Sequence, residues 1–167
     1  MLLNILIPLI GVVADQLVKY WASTALREAG TIPLWEGVFH LTYCENTGAA
    51  FSLLSGHRWV LLAVTAAALT GMLVALSKNY MKNAFGRTSL RLIIAGAVGN
   101  MLDRFLLGYV VDMFDFRLID FPVFNVADSA ICIGAAILII DVLFFKGKTF
   151  IDSLDKKKNT DGSEEKE

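Results

Sequence analysis

Residues 124–134 read FNVADSAICIG, and they place two polar side chains where a long apolar run begins. Asn125 and Asp128 are three residues apart, the spacing at which an N-cap side chain and an acid in the first turn each bond the other's backbone N–H. A helix start is therefore the favoured interpretation of these residues alone, and a catalytic Asp128 is the alternative. The apolar run continues to about Phe145, which is long enough for a membrane helix.

The composition predicts a membrane protein. Hydrophobic residues make up 56% of the 167 residues, and the mean hydropathy is +0.59, above the values of ordinary soluble domains. The net charge of −1 provides no large basic surface, so we expect no nucleic-acid partner. Cys44 and Cys132 match neither a disulfide framework nor a zinc pattern, and we expect both to be unpaired.

Four apolar stretches reach the roughly 20 residues that a helix needs to cross a bilayer. They are residues 2–21, 59–76, 90–107 and 126–145. Most lysines and arginines lie near the connection between the second and third stretches or in the tail, and such residues mark the cytoplasmic side. We therefore predict an all-α polytopic membrane protein with four transmembrane helices and both termini in the cytoplasm.

The remaining segments complete the predicted domain organisation. The first connection contains IPLWEGVFHLTYC, residues 32–44, whose partial alternation predicts a small extracytoplasmic β element on the outer membrane surface. We assign residues 1–150 to one membrane-embedded domain. Residues 151–167 are charged and poor in apolar side chains, so we expect a disordered cytoplasmic tail.

Carboxylates in three of the predicted spans lie at a similar depth. At 1.5 Å per residue, Asp15, Asp103 and Asp128 are each about 20 to 25 Å from the cytoplasmic end of their helices. Charged groups in spans are costly and are candidates for function. Asp15 and Lys19 are four residues apart, which favours a supporting salt bridge.

The third span concentrates polar residues on one helical face. Gly96, Asn100, Asp103 and Arg104 follow the spacing of residues that share a face. A buried Asp–Arg pair that only holds helices together and a functional site explain this face equally well. Asp141 lies near the inner end of the fourth span, where snorkelling to the interface explains its charge.

Asp112 lies in VVDMFDFRLIDF, residues 110–121, among apolar neighbours that would raise the pKa of its carboxyl group. If Asp112 faces Asp128, the two carboxylates would share one proton near neutral pH. One could then accept a proton from water while the other polarises a carbonyl, which is the division of labour that peptide hydrolysis needs.

Five blocks in order resemble the bacterial lipoprotein signal peptidases, the signal peptidase II family. They are DQLVKYW, ENTGAAFS, GAVGNMLDR, VVDMFDF and FNVADSAI. The resemblance implies that Asp112 and Asp128 are the catalytic aspartates. It also implies that Asn46, Asn100, Arg104 and Asn125 line or order the site, and that Asp15 and Lys19 are the polar pair of the first helix. Gly48 and Phe51 belong to the same motif of the first connection as Asn46. Met113 departs from the family, in which phenylalanine is common at this position.

The resemblance further implies an aspartic endopeptidase of the bacterial cytoplasmic membrane, with its site near the extracytoplasmic face. The expected substrate is a prolipoprotein whose future N-terminal cysteine carries diacylglycerol, cut just before that cysteine. The expected partners are this signal peptide with its diacylglyceryl cysteine, and membrane lipid. We expect a monomer that needs no metal or other cofactor.

Two other functions are compatible with the residues. A small transporter would also place carboxylates and asparagines in spans, spread through the membrane. A metal-dependent lipid-modifying enzyme could hold Mg²⁺ with Asp103, Asp112, Asp115 and Asp120.

Overall fold

The computed structural model describes residues 2–48, 53–81 and 83–144, which form long helices and a small sheet. The helices are α1 (Leu2–Trp21), α2 (Arg58–Ser77), α3 (Ala84–Leu106) and α4 (Val126–Phe144). The strands are β1 (Thr31–Trp35), β2 (Phe39–Asn46) and β3 (Val110–Asp115). Phe51 and the predicted tail, residues 151–167, lie outside the described residues.

Three of these helices are long and apolar enough to cross a membrane: residues 2–29, 58–77 and 126–144. The helix α3 is less apolar because it carries Arg87, Arg91, Asp103 and Arg104. It lies at the centre of the bundle and contacts α1, α2 and α4. Its polar face is therefore turned toward other helices, as the sequence predicts for residues 96–104.

Glycine allows α3 and α4 to approach closely. A Cβ atom at Gly96 would overlap the backbone oxygen of Ala127, and one at Gly134 would lie 2.8 Å from the backbone oxygen of Ser89. A Cβ atom at Gly99 would lie 2.5 Å from a carboxylate oxygen of Asp15 on α1. Residues larger than glycine at these positions would push the helices apart.

The sheet is antiparallel with strand order β1-β2-β3, and it lies at the end of the bundle where α3 ends and α4 begins. Before the sheet, α1 continues through a π-helical turn, Ala22–Leu26. Ala22 and Leu26 are fully buried against Val111 and Met113 of β3. Met113 therefore packs on α1, on the opposite face of the strand from Asp112, and its departure from the family pattern leaves the Asp112 face unchanged.

The β element predicted in the first connection is confirmed as β1 and β2, but β3 was not predicted. The prediction that Asp141 snorkels to the interface was wrong, because this residue is completely buried. Its Oδ1 accepts a hydrogen bond from Asn83, which in turn caps α3 by accepting from the backbone N–H of Gly86. The start of α3 thus covers the carboxylate that would otherwise reach the interface.

We predict opposite effects for alanine at two helical glycines. Gly96→Ala must displace the α4 backbone, and such overpacking costs about 1–3 kcal/mol of stability. Gly71→Ala on α2 has no heavy atom within 4 Å of the added Cβ and should be neutral or stabilising by up to about 1 kcal/mol. Thermal unfolding of both purified variants in detergent tests this. Equal midpoints for the two variants would show that the close approach of α3 to α4 at Gly96 does not contribute to stability.

Candidate active site

Asp112 is held by two asparagine side chains at the centre of β3. Its carboxylate is 1% exposed. The Nδ2 group of Asn125 donates to Oδ1 at 2.6 Å, and that of Asn46 donates to Oδ2 at 2.9 Å. Asn46 comes from the end of β2, which pairs with β3 in this region. The sheet therefore fixes both the position and the orientation of this carboxyl group.

Asp128 lies in the first turn of α4 and accepts hydrogen bonds on both oxygens. The Nδ2 group of Asn100 on α3 donates to Oδ1 at 2.7 Å, and the backbone N–H of Asn125 donates to Oδ2 at 3.2 Å. The backbone N–H of Asp128 in turn donates to Oδ1 of Asn125 at 2.8 Å. The reciprocal cap predicted from the spacing is confirmed, and it leaves the Asp128 carboxylate beside the polar face of α3.

Asn125 links the two aspartates. Its side-chain oxygen caps α4, while its Nδ2 group donates both to Asp112 and, at 3.2 Å, to Oδ1 of Asn100. The residue is completely buried. The carboxyl groups of Asp112 and Asp128 are thus both hydrogen-bonded to Asn125.

The surroundings of Asp112 favour a bound proton. Burial, together with the nearby charge of Asp128, raises the pKa of this carboxyl group to about 6, although the hydrogen bonds from Asn46 and Asn125 lower it. A carboxyl group with a pKa close to neutral can donate a proton in one step and accept one in another. This is the property expected of one member of an aspartic pair.

A buried ion network lies behind Asn100. The ammonium group of Lys19 is 2.9 Å from Oδ2 of Asp15 and 3.0 Å from Oδ2 of Asp103, and it donates to Oδ1 of Asn100 at 2.8 Å. Oδ1 of Asp15 accepts from the backbone N–H of Ala127 at 2.9 Å. The predicted Asp15–Lys19 salt bridge is confirmed, and the network joins α1, α3 and α4.

Arg104 does not form a salt bridge with Asp103. The alternative of a buried Asp–Arg pair on this face of α3 is therefore wrong. The Nη2 group of Arg104 donates to the backbone oxygen of Gly48 at 2.6 Å. The N–H of Gly48 donates to Oδ1 of Asn46 at 2.9 Å, which leaves Nδ2 of Asn46 for Asp112. Adjacent residues on a helix point about 100° apart, so Asp103 faces α1 while Arg104 faces the connection after β2.

A cleft of about 470 Å³ opens beside Asp112. Its walls are the end of β2 and the segment before α4. They comprise Cys44, Glu45, Asn46, Thr47, Pro122 and Val123. Asp112 is itself one of the residues that line this cleft.

A family model described as signal peptidase (SPase) II matches residues 7–144. The chain belongs to the signal peptidase II family. Lipoprotein signal peptidase of Clostridioides difficile is 45% identical over 148 residues, which are 89% of this chain and 99% of that protein. The Nostoc punctiforme protein of the same name is 50% identical over 131 residues, 75% of this chain and 80% of its own length.

Solved structures agree with this membership of the signal peptidase II family. One, described as a bacterial membrane enzyme solved by the in meso method at 2.3 Å resolution, superposes with a TM-score of 0.78 at 34% identity. The superposition covers 84% of this chain and 87% of the chain in the solved structure. The chain is thus a multi-pass membrane peptidase of a family known for aspartic chemistry.

The signal peptidase II fold brings most of the predicted site residues into one connected set. That set comprises Asp15, Lys19, Asn46, Gly48, Asn100, Asp103, Arg104, Asp112, Asn125 and Asp128. Gln16 was missed, although its Nε2 group donates to Oδ1 of Asp103 at 2.9 Å. An uncharged amide next to Asp15 in a span was the available signal.

We predict that the helix cap made by Asn125 contributes to stability separately from its hydrogen bond to Asp112. Asn125→Ser keeps an oxygen that can cap α4, whereas Asn125→Ala removes the cap, so alanine should cost about 1 kcal/mol more stability than serine. Both variants lose the amide bridge to Asp112. Thermal unfolding of the two purified variants measures the difference, and equal midpoints would mean that the cap contributes nothing to the fold.

Proposed function

We propose that this signal peptidase II removes the signal peptide from diacylglyceryl-modified prolipoproteins by cutting just before the lipidated cysteine. The observation that carries the proposal is the bridging of Asp112 and Asp128 by Asn125 beside an open cleft. The relatives at 45% and 50% identity are named lipoprotein signal peptidases, which supports the substrate class.

In the proposed reaction, one carboxylate of the pair accepts a proton from a water molecule as its oxygen attacks the scissile carbonyl carbon. The other carboxyl group donates its proton to the carbonyl oxygen, which forms a neutral tetrahedral intermediate. When the C–N bond breaks, the first carboxyl group returns its proton to the leaving amine, and the regenerated carbonyl releases a proton to the second carboxylate. The pair ends with the single proton with which it started.

The cleft explains why the substrate must be extended at the cut site. A regular helix covers its own amides, so a signal peptide that enters the membrane as a helix has to unwind locally before a carbonyl reaches Asp112. Such a segment in the cleft would contact residues 44–47 and 122–123, which line it. Arg104 supports one wall through its bond to Gly48.

We place the proposed enzyme in the bacterial cytoplasmic membrane as a monomer in contact with lipid. Four spans, with both termini in the cytoplasm, agree with the basic residues near residues 78–91. This arrangement puts the sheet and the aspartic pair near the extracytoplasmic face. Residues 1–150 then form the peptidase domain, and residues 151–167 a cytoplasmic tail.

The magnesium alternative requires four aspartates in one place, and the structure gives them different surroundings. Asp103 is bonded to Lys19, and Asp115 accepts from Thr42 at 2.7 Å and from Arg117 at 2.9 Å. Asp120 is exposed. Among the described residues, no three His, Cys, Asp or Glu side chains form a group suited to a metal ion. We therefore propose chemistry by the aspartic pair alone.

We predict that Asp112→Asn and Asp128→Asn each lower the cleavage rate by more than about 100-fold, because each removes one acid–base group. The matched control is Asp115→Asn, three residues along the same strand but bonded to Thr42 and Arg117, and it should retain activity. Release of signal peptide from a purified lipidated precursor measures the rates. Cleavage by folded Asp112→Asn or Asp128→Asn at a tenth of the wild-type rate or more would refute the pair.

We predict a fall in kcat/KM as the pH rises through about 6. The pKa of Asp112 is raised to about 6, so its proton is present below this pH and is lost above it, which leaves both carboxylates charged. Asn46→Ala removes a hydrogen bond that stabilises the charged form, so the fall should move to higher pH. Profiles of kcat/KM for both proteins test the sign, and a shift to lower pH would contradict it.

A further inference from the structure

Lys19 fixes which way the amide of Asn100 points. A lysine ammonium has three N–H donors and no acceptor. Lys19 is 3% exposed, and its three neighbours are Oδ2 of Asp15, Oδ2 of Asp103 and Oδ1 of Asn100. Only an oxygen can face this group, so the oxygen of the Asn100 amide lies toward Lys19 and its nitrogen lies on the other side.

The nitrogen of Asn100 then points at Asp128. Nδ2 of Asn100 donates to Oδ1 of Asp128 at 2.7 Å, while Nδ2 of Asn125 donates to the same Asn100 oxygen that accepts from Lys19. A flipped Asn100 amide would place its NH₂ group against two donors and its oxygen against a carboxylate. Lys19 and Asn125 together therefore leave Asn100 a single orientation, in which it is a donor to Asp128.

We propose that Lys19 is a positioning residue for Asp128, the base of the pair, because it fixes Asn100 in the orientation that donates a hydrogen bond to the Asp128 carboxylate. The inference rests on the proposed function. The place of Asp128 supports it, since the first turn of a helix favours a negative charge. Asp112 is 1% exposed and lies on a strand, so it lacks this helix-terminal stabilisation of a negative charge.

Several other charged groups surround Asp128. Asp112 approaches from β3 and Arg104 from α3, while Asp15 on α1 and Asp103 on α3 flank Lys19. Lys19 itself is not among the residues that line the cleft beside Asp112. It lines a separate cleft of about 250 Å³ with Gln16, Tyr20 and Asp103. Its link to Asp128 runs through Asn100.

The first variant that tests the proposal is Lys19→Met. Without the ammonium group, only Asn125 still holds the oxygen of Asn100, so the hydrogen bond from Asn100 to Asp128 is no longer fixed by two donors and can be lost. The acid limb of the kcat/KM profile should move to higher pH by about one unit, the shift expected when a hydrogen bond to a charged group is lost. At the optimum pH, kcat should fall while KM stays within about twofold, because the cleft is unchanged.

Loss of charge has to be separated from loss of orientation. Lys19→Met leaves Asp15 and Asp103 without their cation and can fail to fold, so a second variant combines Lys19→Met with Asp103→Asn and restores the local net charge. The proposal predicts that this double variant keeps the displaced acid limb. An acid limb back at its wild-type position would show that the charge of Lys19 acts directly and would overturn the proposal.

Arg91→Met is the control for general loosening of the bundle. Arg91 is also a buried cation between α3 and α1, and it donates to Oδ1 of Asn4 at 2.6 and 3.0 Å. Its replacement should lower stability and leave the acid limb in place. The positioning role would be overturned if the acid limb of the kcat/KM profile moves as far in Arg91→Met as in Lys19→Met.

Wild-type protein in the same assay separates the two proposals. The positioning role alone would be overturned if wild-type protein cleaves the precursor and the acid limb of the kcat/KM profile does not move in the folded Lys19 variants. No cleavage by folded wild-type protein would overturn the proposed function and this inference with it.

Discussion

The side-chain amide of Asn125 binds through both of its ends, and the rest of the site depends on it. Its oxygen accepts from the backbone of Asp128 and starts α4, while its nitrogen donates to Asp112 on β3 and to Asn100 on α3. A strand and two helices are thereby held at one buried point. The same residue that begins a membrane helix brings two carboxyl groups together.

This arrangement requires a close approach of the helices. Glycine at residues 96 and 99 removes the side chains that would separate α3 from Ala127 and from Asp15. Asp15 can then accept from the first turn of α4 and still pair with Lys19. Buried charges are costly unless they are paired and hydrogen-bonded. Lys19 meets this condition with three acceptors, which gives the bundle one well-defined register around the site.

The sequence predicts the helices well because run length and polarity are local properties. The capping pair of Asn125 and Asp128 and the salt bridge of Asp15 and Lys19 were predictable for the same reason. The strand β3 was not predictable, because both of its faces are buried. Val110, Val111 and Met113 are all apolar and buried, so the run shows no clean alternation of apolar and polar residues.

Long-range partners could not be read from spacing. Asp103 and Arg104 are adjacent in the chain, yet Asp103 bonds to α1 and Arg104 to the connection after β2. Asp141 is buried because the start of α3 covers it, which depends on how α3 packs on α4 and not on the position of Asp141 along its own helix. The link from Lys19 to Asn100 likewise appears only when α1 and α3 are packed.

The proposed cleavage of lipidated precursors uses an aspartic pair without a metal. Its most direct test is mass spectrometry of the products when the purified protein acts on a diacylglyceryl-modified prolipoprotein in the presence of excess EDTA. We expect one new N-terminus, at the lipidated cysteine, formed at the same rate with and without EDTA. Cleavage that stops in EDTA and returns with added Mg²⁺ would contradict the account and make the aspartates metal ligands.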